Sequence, residues 1–90
     1  MSIWGEGMFK NKAKNGKNNI CGKRIYELRK QKMPKMSQRI LAEKLQIMGI
    51  DVDKNAIQRI ESGERFTTDI ELKALAEVFG VSADYLLGIK

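Results

Sequence analysis

Pro34, Gly49, Gly63 and Gly80 fall at near-regular intervals along the chain, and each is a helix stop. Between them the apolar residues recur every three or four positions, the period of a helix with one buried face. The first stretch carries Ile25 and Leu28, with Ile20 or Cys21 a turn earlier. The second carries Leu41, Ala42, Leu45 and Met48, and the third Ala56, Ile57 and Ile60. The fourth runs Ile70, Leu72, Leu75, Ala76 and Phe79, and a last short one holds Tyr85, Leu86 and Leu87. Ser37, Asp53, Thr68 and Ser82 stand where N-caps are needed, and Thr68 with Glu71 has the spacing of a capping box. The pattern predicts an all-α fold of five short helices and no strand.

A chain of 90 residues holds one small core at most. It has one cysteine and no histidine, which excludes an intramolecular disulfide, a Cys/His zinc site and histidine general-base catalysis. No enzyme class is indicated, and no metal or cofactor is expected. No apolar run approaches the roughly 20 residues of a bilayer span, and no secretory signal pattern opens the chain. The expected location is the cytoplasm, away from any membrane.

Charge is distributed unevenly. The net charge is +6, with +4 over residues 1–23, +4 over residues 24–67 and −2 over residues 68–90. A basic front and an acidic back suit a chain that turns one face to a polyanion. Residues 1–18 show no helical or strand period and read as a flexible basic tail; residues 19–90 form the domain. In the tail, Lys10, Lys12, Lys14 and Lys17 either follow phosphates as an arm or merely solubilise, and Trp4, Met8 and Phe9 have no partner pattern.

The second and third helical stretches, SQRILAEKL and DKNAIQRIESG, make a pair of the kind that binds DNA. One helix of such a pair lies over the backbone while the other enters the major groove. Ile57 and Ile60 point inward in the second of them, leaving Lys54, Asn55, Gln58 and Arg59 outward. Lys and Arg match guanine O6 and N7, and Asn and Gln match adenine N6 and N7. An ordinary solvated helix face has a similar composition, so the residues alone leave both readings open.

RIYELRK at 24–30, SQRILAEKL at 37–45, NAIQRIESGER at 55–65 and DIELKALAEVFGVSADYLL at 69–87 together resemble the phage-repressor helix-turn-helix family of Cro/C1 (xenobiotic-response-element) type. The resemblance implies a repressor-like domain that binds double-stranded DNA as a homodimer on a two-fold symmetric operator. By position it implies that Gln38 bonds a phosphate and braces the recognition helix. Lys54, Asn55, Ala56, Gln58 and Arg59 fall at groove-facing positions, and Arg65 at a phosphate contact in the following loop. It also implies a structural ion pair between Arg29 and Glu61. Departing from the family pattern, QIMGIDV is inserted before the recognition helix. It extends the second helix by about a turn to Met48 and leaves Gly49, Ile50, Asp51 and Val52 as a longer bend, which bears on how deeply the recognition helix sits.

Several assignments stay open at this level. Leu86 or Leu87 serves the domain's own core, or the last helix with Tyr85 and Ile89 supplies a dimer contact. Cys21 is a small buried hydrophobe or a redox-sensing thiol. Met33, Met36 and Met48 are expected to fill gaps around helix ends. The rival function is an antitoxin-like protein-interaction module on the same scaffold.

Overall fold

The computed structural model describes residues 16–89. Those residues form five helices: α1 (Gly22–Gln31), α2 (Gln38–Ile47), α3 (Lys54–Ser62), α4 (Asp69–Phe79) and α5 (Ala83–Leu86). Among the described residues there is no strand. Each cap acts locally as its chemistry requires. Ser37 Oγ accepts from Ile40 N, Asp53 Oδ1 from Ala56 N and Ser82 Oγ from Tyr85 N, at 3.1, 2.8 and 3.0 Å. Thr68 and Glu71 close the capping box, each side chain accepting from the other's backbone N–H at 3.1 Å.

α3 lies at the centre, packed by both α1 and α2, while α4 reaches α1 and α2 and carries α5. Ile25, Leu41, Leu45, Ile57, Ile60, Leu75 and Leu86 are fully buried and form the centre of the core. Each such side chain contributes about 1.5–3 kcal/mol by leaving water. Because α3 supplies two of them, its apolar face fixes its rotation about its own axis.

Several expected core positions resolve differently. Cys21, not Ile20, completes the α1 stripe: it is buried and Ile20 is exposed. Burial raises its thiol pKa above the ordinary value, in keeping with the reading as a small hydrophobe. Met48 was expected inward but is exposed, because α2 ends at Ile47 and Met48 is already its C-cap. The chain then reverses at Gly49, whose φ of +87° lets Ile50 N reach Leu45 O at 2.9 Å. Ile50 and Val52, rather than Met48, cover that end of the core. Ile70 lies on the side of α4 opposite Leu75 and is exposed. Of Met33, Met36 and Met48 only Met36 fills the core; Met33 is 90% exposed. Leu86 faces inward, leaving Leu87 and Tyr85 half-buried and Ile89 exposed.

Trp4, Met8, Phe9, Lys10, Lys12 and Lys14 lie outside the described residues. Lys17 and Asn18, counted with the tail on sequence grounds, rest against the end of α3.

Candidate nucleic-acid interface

The bend between α2 and α3 aims α3. Of QIMGIDV, Gln46 and Ile47 continue α2, and hydrogen bonds close the bend that follows. Gly49 N donates to Gln46 O at 2.9 Å, and Gln46 Nε2 donates to Val52 O at 2.7 Å. Val52 is buried, so the turn is anchored at its far end by the core. The inserted residues form a fixed corner and hand the chain to Asp53, the α3 cap.

On α3, Lys54, Asn55, Gln58 and Arg59 are exposed, Ala56 is half-buried, and Ile57 and Ile60 are buried. Positions 54, 55, 58 and 59 share one face, since residues three and four apart are neighbours on a helix. Two cations and two amides therefore face solvent together. Nine residues span roughly 13 Å, a length that fits within a major groove. Asp51 and Asp53, also exposed, add two negative charges beside Lys54 at the start of the helix.

The last turn of α3 is tied to α1 and α2 through one carboxylate. Arg29 Nε and Nη2 donate to Glu61 Oε2 and Oε1 at 2.6 and 2.9 Å, and Nη1 donates to Met36 O at 3.1 Å. Both side chains are more than nine-tenths buried. The bond to Glu61 raises the Arg29 pKa further above its already high ordinary value. Gln38 Nε2 donates to the same Oε1 at 3.0 Å, so the first residue of α2 braces α3 directly. A primary amide has a second N–H, which in Gln38 is the group that can meet a phosphate.

Arg65 has a partner that the sequence reading missed. Its Nη1 and Nη2 donate to Glu71 Oε1 and Oε2 at 2.8 and 2.9 Å, and Nη1 also donates to Phe66 O at 3.3 Å. Glu71 thus closes the α4 capping box and grips the loop after α3 at once. The Arg65 guanidinium holds the Glu71 carboxyl below the usual carboxylate range. Within-helix spacing rules do not reach this pair, because Arg65 lies in a loop ahead of the helix that holds Glu71.

A second missed group is the run Lys17-Asn18-Asn19. Lys17 Nζ donates to Ser62 O at 2.9 Å, and Asn18 donates through N to Gly63 O and through Nδ2 to Glu64 O, at 2.8 and 2.7 Å. Asn19 Nδ2 donates to Ile60 O and Arg65 O at 3.0 and 2.7 Å. The only sequence signal was polar residues just ahead of a helix.

A two-helix unit with a capped, polar-faced second helix, braced from behind by an ion pair, defines a helix-turn-helix domain. The HTH_3 family model, described as helix-turn-helix, matches residues 25–86, and the chain belongs to this Cro/C1-type family. No curated protein and no solved structure matches it. The family is one of DNA-binding transcription regulators and is not an enzyme family. Among the described residues no helix is long and apolar enough to cross a membrane.

Proposed function

We propose that this protein is a sequence-specific repressor that binds a two-fold symmetric operator in double-stranded DNA as a homodimer in the cytoplasm. The observation that carries this reading is the outward face of α3. Lys54, Asn55, Gln58 and Arg59 stand exposed together while Ile57, Ile60 and Glu61 hold the opposite side. In this reading α3 lies in the major groove with its N-terminal end leading, and Asn55 and Gln58 read adenine edges. Lys54 and Arg59 read guanine or neutralise phosphate, with Ala56 making close apolar contact. Gln38, at the start of α2, and Arg65, in the loop after α3, hold phosphates and fix register.

Dimerisation follows from the size of the site, since one short helix covers only a few base pairs and two half-sites multiply discrimination. Leu87, half-buried, and Ile89, exposed, lie at the end of the chain as apolar groups available for a second copy. Selecting bound duplexes from random DNA tests the whole proposal. A two-fold symmetric consensus is the expected outcome. Recovery of unselected sequence would refute base reading, and a single asymmetric half-site would refute the dimer.

A further inference from the structure

The end of a helix leaves carbonyls without intrahelical partners, and how they are satisfied decides how firmly that end is held. Two carbonyls in the last turn of α3 (Ile60 and Ser62) and three just after it (Gly63, Glu64 and Arg65) each accept a bond from Lys17, Asn18 or Asn19. Asn19 is the joint of this clasp. Its Nδ2 bridges the last turn of α3 and the following loop through Ile60 O and Arg65 O. Its Oδ1 accepts from Gly22 N at 2.8 Å, satisfying the first turn of α1, whose own N-cap Cys21 makes no side-chain cap bond.

The fit is close. A Cβ on Gly22 would collide with the Ile60 carbonyl oxygen, so the α1 backbone lies directly against the last turn of α3. One amide therefore couples three segments: the start of α1, the end of α3 and the loop that presents Arg65. Arg29 and Gln38 restrain the same end of α3 only through the Glu61 side chain. The clasp restrains its backbone.

A base-reading side chain must be held to within about 0.5 Å and 10–20° to keep its bonds. Ile57 and Ile60 set the rotation of α3, but a helix pivoting on its buried side chains can still tilt if one end is loose. We propose that Asn18 and Asn19 are positioning residues for base reading, setting the tilt of α3 by clamping its C-terminal carbonyls and the loop to Arg65. The proposal rests on the DNA-reading function above. It assigns the clasp no contact with DNA.

The test uses the full chain with Asn19→Ala, Asn19→Asp and Asn18→Ala, at a temperature where circular dichroism shows each variant folded. Affinity is measured for the duplex that the wild type selects and for an unrelated duplex of equal length. Asn19→Asp keeps the acceptor for Gly22 N and loses both donated bonds, so it separates the α3 clamp from the α1 cap. The expected result is that Asn19→Ala and Asn19→Asp each lower the ratio of selected to unrelated affinity by about tenfold. In Asn19→Ala, affinity for the unrelated duplex should stay within about twofold, since long-range phosphate attraction depends little on tilt. The negative charge added by Asn19→Asp weakens both duplexes alike and cancels in the ratio.

An unchanged ratio in both variants, whatever happens to the melting midpoint, overturns the proposal. So does a wild-type ratio in Asn19→Asp alone, which would leave Asn19 only as the α1 cap. If the Asn19 variants do not fold, Asn18→Ala decides on the same ratio: a fall of about threefold supports the clamp and no fall overturns it. A wild type that selects no duplex removes the DNA reading itself, and the proposal with it.

Discussion

The Arg29 guanidinium grips the Glu61 carboxylate through two parallel bonds, 2.6 Å from Nε and 2.9 Å from Nη2, across the junction of α1 and α3. With both partners buried, removing one strands the other's charge in the core. Arg29→Met is expected to destabilise the fold by about 3–5 kcal/mol, read from urea denaturation. Replacing both partners, Arg29→Met with Glu61→Leu, should recover most of that loss. A single variant that melts like the wild type would contradict the burial of the pair.

The Arg65–Glu71 pair gives stability a pH dependence. Glu71 is held below its ordinary carboxylate pKa in the fold, chiefly by Arg65. A group whose folded pKa is depressed contributes stability that is complete above its unfolded value, about 4.3 for glutamate. That contribution disappears as pH falls through the depressed folded value. Glu71→Gln keeps an N3 side chain able to complete the capping box but cannot ionise. The variant should melt lower than the wild type at pH 7, with the gap closing as pH falls below 4. A gap constant down to acid would show that the carboxylate charge contributes nothing.

These pairs mark the boundary of what the sequence alone discloses. The helices were legible because caps and stops act within a few residues: Ser37, Asp53, Thr68 with Glu71, and Ser82 do locally what their chemistry dictates. The apolar face of α3 was legible for the same reason of period. Met48 was misplaced because the α2 stop lies one residue earlier than the apolar period suggests, and Ile50 returns to the core only through the turn at Gly49. The bonds of Arg65 to Glu71 and of Asn19 to Ile60 join separate segments. Neither a propensity nor a period encodes such a meeting, because it exists only after packing.

Salt dependence separates phosphate contacts from the rest. If Lys54 and Arg59 neutralise phosphates, the logarithm of the binding constant should fall linearly with the logarithm of salt concentration. The slope should be about −0.9 for each phosphate contacted. Arg59→Ala should then make the slope shallower by about 0.9. Deleting residues 1–15, which leaves the clasp at Lys17–Asn19 in place, tests the basic segment separately. An unchanged slope would mean that Lys10, Lys12 and Lys14 only solubilise.

Gln38 and the outward residues of α3 should fail differently. Gln38 braces Glu61 and is proposed to hold phosphate, a contact that carries little sequence information. Gln38→Ala should therefore weaken binding to all duplexes by similar factors. A change confined to one operator position would instead make Gln38 a base-reading residue.

The central claim is that α3 reads bases through its exposed amides. The most direct measurement is binding of wild type, Asn55→Ala and Gln58→Ala to a panel of single-base variants of the selected operator. A good bidentate contact discriminates by about 1–3 kcal/mol. Each variant is therefore predicted to lose preference at one position per half-site, by roughly five- to 150-fold, and to keep it elsewhere. If both variants retain the wild-type preference at every position, α3 is not the reading helix.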